Sequence, residues 1–414
     1  MENTDRIQLP KLRPAAAVYG PETPKRFALP RFVAELQARG WRVGGLLQEN
    51  LKREDGQKLG IDAIAIDTGG RIPITRYTDY HLRERVCGLD TGMLTESTEA
   101  LRRAIRDRVD VLVVEKFSER EKEGGGFTDE ILNAIAEGIP TLVAVSVDAM
   151  DHWNALMGGF GVTVPMEVDA LWRWWGAHRL YRDLELSVGA DAGVAKRVVI
   201  GLNFTLVEGP NGCGMAQTPP RDAYGCRPVR HEGGLAGQPL QDLAKLVHSW
   251  NPTEAAVGLA AINAHTNRYD LRGEDVNGLD AITACEGPVT VVGRFPKLSE
   301  RLGEHQVIER EPRDGEYPAN AASYLLPNSD GVVLTASALV DHGLPDLIEA
   351  SGNAMKALVG PSTPLSPRLH SYGLAILSGL VIEDADGAAR AVAEGGATGA
   401  MKNFGRFVTI QEDG

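Results

Sequence analysis

The apolar residues fall into short runs with two periodicities. Compact apolar runs of about five to seven residues read as buried strands, and longer stretches with apolar positions every three or four residues read as helices. In the first third of the chain the pattern predicts strands at Ala15–Tyr19, Trp41–Leu47, Asp110–Val114 and Pro140–Val147, and a strand pair at Ile61–Asp67 and Ile72–Thr75 around Gly69-Gly70. Helices fall between them at Phe27–Arg39, Thr95–Arg108 and Thr128–Glu137, and Gly40 and Gly138 close two of these. Strand and helix alternate with short links, which predicts a parallel sheet covered by helices.

Beyond this block a helical stretch runs from Met166 to Leu186 and carries Trp172, Trp174 and Trp175. The cluster is read as an interface or as core packing, at even odds. Arg197–Glu208, the turn Gly209–Gly214 and a strand toward Thr218 then read as one β-hairpin. Helices follow at Leu240–Ser249 and Thr253–Ala264, the latter opening after Asn251-Pro252. From Gly287 the alternation returns, with strands at Pro288–Gly293, Gln306–Glu309, Gly331–Thr335 and Ala354–Val359 and helices at Lys297–Leu302, Ala319–Leu325 and Leu344–Ala350. This is an α/β chain of several modules: 14–165, a linker helix at 166–195, an α+β module at 196–286 and a Rossmann-like sheet at 287–407.

Ligands of such open sheets sit beyond the carboxyl ends of the strands. The loops expected to converge there are Gly293–Pro296, Glu309, Thr335–Ser337 and Gly360–Thr363. Gly293 stands where a dinucleotide-binding chain places its first glycine, although the full GxGxxG is missing. Arg294 is a candidate clamp for an acidic group, with a solvated arginine as the plainer alternative. Ser362 and Thr363, in a loop stiffened by prolines, offer fixed hydroxyls to a ligand or simply cap a connection. Asn263, polar on an apolar helix, needs partners of its own or faces a ligand. The candidate ligand-binding set is Asn263, Gly293, Arg294, Phe295, Glu309, Thr335, Ser337, Gly360, Ser362 and Thr363.

Charge and cysteine content narrow the classes. The chain of 414 residues has a net charge of −13. Nucleic acid and anionic lipid are therefore unlikely partners. Its 4 cysteines show no CxxC spacing and no disulfide framework, which points to a reducing cytoplasm. The N-terminal stretch has no apolar core of a secretory signal, and no apolar run reaches the roughly 18 residues of a membrane span. Cys213 and Cys226, about a dozen residues apart, with His231 nearby, are a weak candidate metal set; a packed thiol is the commoner outcome.

The stretches Ser249–Ala264, Val291–Pro296, Tyr317-Pro318, Leu326–Asp330 and Gly360–Pro367 resemble the putative heavy-metal chelation family (domain of unknown function 364) and the small domain preceding it, from about Lys196 to Phe407. The resemblance implies an enolase-N-terminal-like α+β domain followed by a Rossmann-like domain, with the site in the cleft between them and a role with a metal ion or metallocofactor. Asp341-His342 departs from an expected Asn-Gly-Thr. Gly44–Gln48, Cys87–Asp90, Val113–Phe117 and Glu121–Gly124 resemble a second family, domain of unknown function 2478, whose members look like P-loop NTPases without the phosphate loop. The corresponding loop, Tyr19–Lys25, lacks GxxxxGK[ST], so nucleotide hydrolysis there is the minority reading.

Together these readings predict cytoplasmic handling of a metal, a metallocofactor or an oxyanion. Molybdate is suggested only by the usual company of the second family. The alternatives are an enzyme holding a nucleotide, pterin or S-adenosyl cofactor, and a scaffold or regulator docking through its tryptophans. A small-molecule or metal ligand is the expected partner, a homodimer is an allowed assembly, and no nucleophile–base pair identifies a reaction.

Overall fold

The computed structural model describes residues 6–21, 23, 27–84, 88, 90–117, 119–122, 124–220, 228–274 and 278–412. The chain divides into two compact units, Pro10–Trp175 and a second made of Met1–Leu9 with Gly176–Gly414. The class is α/β, as the alternating pattern predicts.

The N-terminal unit holds β1 (Ala15–Tyr19), α1 (Ala28–Ala38), β2 (Val43–Lys52), β3 (Lys58–Ala65), β4 (Arg71–Arg76), α2 (Thr91–Arg106), β5 (Val111–Phe117), α3 (Thr128–Ala136), β6 (Thr141–Ser146), α4 (Met150–Met157), β7 (Val162–Pro165) and α5 (Val168–Trp175). Its seven-stranded sheet has the order β4-β3-β2-β5-β6-β1-β7. The centre is parallel and wholly apolar, with Ala15–Ala17 and Val111–Val114 all inaccessible to solvent. At one edge the expected parallel sheet turns antiparallel. β2 continues past Leu47 to Lys52, and Asp55-Gly56 reverses it into β3, with Gly56 at φ 82°. Asp-Gly between apolar runs is a hairpin signal that the strand/helix alternation overshadowed. α2 is capped by Asp90, whose carboxylate accepts from the N–H groups of Gly92 (2.9 Å) and Met93 (3.1 Å).

The tryptophan cluster resolves within this unit. α5 stops at Gly176, φ 84°, so the expected continuous helix is broken there. Trp172 and Trp175 are buried, edge-on to Phe32 at 5.3 and 6.4 Å, and Trp172 Nε1 donates to Glu35 at 2.8 Å. Core packing is the outcome, and these two rings are not a surface for a partner.

The second unit begins with α6 (Leu180–Ser187) and a three-stranded antiparallel sheet of β8 (Arg197–Ile200), β9 (Phe204–Glu208) and β10 (Cys213–Gln217). The single strand expected over Arg197–Glu208 is itself a hairpin, turned by a bond from Gly201 N–H to Phe204 O of 2.9 Å. A Cβ on Gly201 would lie 2.1 Å from Val392 O, so close packing from a distant part of the chain occupies that corner. Against this sheet lies α7 (Pro252–Thr266), capped by Asn251 and buried from Glu254 to Ala264. Small residues permit the contact. A Cβ on Gly214 would come within 2.1 Å of Ala260 O, and one on Gly258 within 2.1 Å of Val247 N.

The chain continues through β11 (Val289–Val292), β12 (Gln306–Glu309), β13 (Tyr317–Pro318), β14 (Gly331–Thr335), α8 (Leu344–Ala350), β15 (Met355–Val359), β16 (Ile376–Ile382), α9 (Ala385–Ala393) and β17 (Gly405–Gln411). The sheet order is β13-β12-β11-β14-β15-β16-β17, parallel except for β17. β11 comes first in sequence and sits inside the sheet. The chain builds outward on one side to β12 and β13, then crosses to β14 on the other. Such a reversal opens a crevice between the carboxyl ends of β11 and β14.

Candidate functional site

The crevice is there, with a volume of about 620 Å³. Val292, Gly293 and Arg294 from the end of β11, Ile308 and Glu309 from β12, and Thr335 and Ser337 from β14 form its floor and sides. Gln217, Pro219 and Pro220 after β10, with Pro252 at the start of α7, close it from the small domain. Asp341, Gly343, Asp346 and Leu347 around the start of α8 form the remaining wall.

Gly293 is fixed by its backbone. Its φ is 102°, and a Cβ there would lie 2.7 Å from the Cβ of Thr335, so only glycine lets the two strand ends approach. Thr335 Oγ1 and Ser337 Oγ lie 3.0 Å apart. Glu309 accepts a bond from Arg310 N–H of 3.1 Å at Oε2, and it has no ion-pair partner among the described residues.

The cations tell a different story from the one expected. Arg294 is not an open anion clamp. Its Nε and Nη2 donate to the two carboxylate oxygens of Glu316 at 3.0 and 2.6 Å, and Nη2 also reaches Glu311 O at 3.2 Å. The hydrogen bonds from Arg294, then the one from Arg313 N–H, hold the Glu316 carboxyl down to about 2. Arg310 is ion-paired with Asp341. Arg294 and Arg310 thus face Glu309, Glu311, Asp341 and Asp346 on the crevice wall, and each guanidinium is already neutralised.

The fourth expected loop is elsewhere. Ser362 and Thr363 are buried, and neither they nor Gly360 form part of the crevice wall. Ser362 Oγ accepts from Gln217 N–H at 2.8 Å, so it braces the crevice wall from behind. Asn263 Nδ2 donates to Met215 O (2.7 Å) and Ser362 O (2.9 Å), which ties α7 to β10 and to this loop. Asn263 Oδ1 and Thr363 Oγ1 are buried without a hydrogen-bond partner among the described residues. Asn267, one turn further along α7, does more. It donates to Thr363 O (2.9 Å) and Leu380 O (3.2 Å) and accepts from Leu365 N–H (2.8 Å). The (i, i+4) spacing of Asn263 and Asn267 is the sequence signal for this strap. Phe295 packs against the apolar cluster of Leu279, Ile282 and Val291 rather than facing the crevice.

Of the candidate metal set, Cys213 and His231 fall among the described residues. Cys213 is buried in the cluster of Phe204, Leu206 and Met215, and burial, then the charge of Glu208, push its thiol well up. A metal requires the thiolate. His231 is exposed at φ 60°, and Cys226 lies outside the described residues, as do Cys87 and Lys25. Among the described residues no three His, Cys, Asp or Glu side chains are grouped to hold a metal ion. A bare soft metal does not fit what is present. In the N-terminal unit a smaller hollow of about 340 Å³ lies between α2 (Thr91, Leu94, Thr95, Thr98) and the turn holding Arg120, Gly125 and Gly126. No described helix is long and apolar enough to cross a membrane.

Comparison with known proteins matches residues 14–174 to a family described as protein of unknown function (domain of unknown function 2478). Residues 181–266 and 278–411 match two families, domains of unknown function 4213 and 364, both described as putative heavy-metal chelation. A protein of unknown function from the latter family in Desulfitobacterium hafniense DCB-2 has a solved structure that is 33% identical, with a TM-score of 0.51, and the match covers 56% of this chain and 97% of that one. A second, from Pyrococcus horikoshii, is 22% identical with a TM-score of 0.50 and shows the shared fold, over 57% of this chain and 99% of that one. The molybdenum import ATP-binding protein ModC 2 of Bradyrhizobium diazoefficiens is 34% identical over 206 residues, 49% of this chain and 22% of that protein.

Proposed function

The chain belongs, over its C-terminal part, to the family described as putative heavy-metal chelation, and from that premise we propose that its crevice handles a metal as a neutral or cationic complex, not as a bare ion or a free oxyanion. The observation that carries this reading is the charge on the crevice wall. Arg294 is paired with Glu316 and Arg310 with Asp341, which leaves Glu309, Glu311 and Asp346 on the wall with no guanidinium left to balance them. At an effective dielectric near 20, an anion about 4 Å from Glu309 is opposed by about 4 kcal/mol, and a cation gains as much. The name of the Bradyrhizobium relative suggests molybdate, but the wall charge argues against that anion here. The described residues group no three His, Cys, Asp or Glu side chains, which favours a preformed complex over direct coordination. The hydroxyls of Thr335 and Ser337, with Glu309, suit hydrogen bonding to the ligands of a preformed complex.

On this reading 196–286 is an enolase-N-like module and 287–407 a Rossmann-like one, joined at the crevice. The N-terminal module, 14–165, is NTPase-like without phosphate chemistry. The free thiols Cys213 and Cys285 accord with a reducing cytoplasm. Thermal unfolding of the full chain with hexaamminecobalt(III), free divalent cobalt or molybdate tests the proposal. The cobalt(III) complex should raise the melting temperature in the native chain and not in Gly293→Val. A larger shift with molybdate, or a cobalt(III) shift that survives Gly293→Val, would overturn it.

A further inference from the structure

The end of β11 and the end of β12 carry a second pattern. Val292 is in register with Ile308, so Gly293 and Glu309 follow side by side on adjacent parallel strands. Both line the crevice. In dinucleotide-binding sheets these two positions do different jobs. The glycine lets the ligand approach the backbone, and an acidic side chain at the end of the next strand takes the ribose hydroxyls. Glu309 has a carboxylate oxygen with no hydrogen bond from any described residue, while Oε2 is held by Arg310 N–H at 3.1 Å. That is an oriented acceptor with capacity to spare.

The phosphate end of such a site is not furnished. The chain after Gly293 is Arg-Phe-Pro-Lys297, not a glycine-rich turn, and the helix that follows spans only Leu298–Leu302. Arg294, the cation nearest a diphosphate, is occupied by Glu316. The lining carboxylates oppose a polyanion, as argued above. Pro219, Pro220, Val340 and Leu347 supply apolar wall for a planar base. The volume of about 620 Å³ falls in the usual range of small-molecule sites.

We infer that the crevice binds a nucleoside moiety with a free ribose diol and no phosphates, neutral or cationic, with Glu309 accepting the diol hydroxyls. The inference rests on the crevice being the ligand site, as in the preceding proposal, and adds the chemical class of an organic ligand.

The test is equilibrium binding of adenosine, 2′-deoxyadenosine, S-adenosylmethionine and ADP to the full chain. Adenosine and S-adenosylmethionine should bind; 2′-deoxyadenosine should be at least about tenfold weaker than adenosine, the worth of one hydrogen bond to a charged group, and ADP should be at least about tenfold weaker because the lining carboxylates repel its phosphates. Glu309→Ala should erase the preference for adenosine over 2′-deoxyadenosine, and Glu309→Gln should reduce it. The ligand-free melting temperature of each variant checks that the unit is folded. ADP binding as well as adenosine, an unchanged ribose preference in Glu309→Ala, or equal affinity of the native protein for adenosine and 2′-deoxyadenosine would each overturn the inference. Absence of nucleoside binding while hexaamminecobalt(III) still protects through Gly293 would sink this inference alone. A loss of all Gly293 dependence would sink the crevice reading itself.

Discussion

The two seven-stranded sheets of this chain share an architecture and differ at their carboxyl ends. In the N-terminal sheet, Phe117 at the end of β5 is fully buried and meets Trp153 of α4 edge-on at 5.6 Å. The Tyr19 ring ends β1, with Lys116 Nζ 5.9 Å from its centroid. In the C-terminal sheet the ends of β11 and β14 hold Gly293, Thr335 and Ser337, and the space there is about 620 Å³, against about 340 Å³ beside the turn after β5. A parallel sheet therefore supplies the position of a crevice, while side-chain volume at the strand ends sets how much of it stays open. The same contrast appears in how the ends are held. Rings fill the first, whereas amides strap the second.

The sharpest way to break this comparison is to hollow the filled end. Trp153→Ala should destabilise the N-terminal unit by about 3–5 kcal/mol, measured by denaturant unfolding, because a fully buried indole leaves a cavity. A cost under about 1 kcal/mol would mean that the rings are not what closes that end.

Next in size is the strap. Asn267→Ala should cost about 3 kcal/mol, since it strands the Leu365 N–H and two carbonyls in a buried setting. Asn263→Ala should cost less, because its Oδ1 makes no bond to lose. Equal costs would show that the strap depends on side-chain volume, not on hydrogen bonds.

The glycines that follow β1 and β11 come third. Gly293→Val should cost about 1–3 kcal/mol and abolish crevice binding, given its positive φ and the approach to Thr335. Gly20→Ala should stay within about 0.5 kcal/mol, because its Cβ would meet the exposed Val147 at 3.1 Å and Thr23 Oγ1 at an ordinary 4.0 Å. Unfolding midpoints of the two variants check this directly.

The smallest expected effect is on pH dependence. His342, at φ 63°, donates from Nε2 to Val247 O at 2.8 Å and lies edge-on to Tyr181 and Trp250 at 5.1 and 5.5 Å. Burial lowers its pKa from the ordinary 6.5. The unfolded chain then takes up the proton first. Stability is complete above pH 6.5 and declines as pH falls from there toward the folded value. His265, lowered mainly by burial, adds in the same direction. His342→Asn, which tolerates a left-handed backbone, should flatten the calorimetric stability profile below about pH 6.5.

The α/β class, the central strands and the three crevice-forming strand ends were legible in the sequence, because burial on both faces of a parallel strand leaves an unbroken apolar run. Ala15–Tyr19, Gln306–Glu309, Gly331–Thr335 and Leu344–Ala350 fall at the same bounds in sequence pattern and structure. The last two strands, β16 and β17, were missed although Ile376–Ile382 is fully buried. The tertiary structure alone decided which polar residues face a ligand and which face each other. It turned Arg294 onto Glu316, Ser362 onto Gln217 and Cys213 into an apolar cluster, while leaving Glu309 without an ion-pair partner among the described residues. The reason is physical. Periodicity records how much apolar surface a residue must bury, a local property. The partner of a charge or an amide is set by distances between segments far apart in the chain, which no local pattern carries.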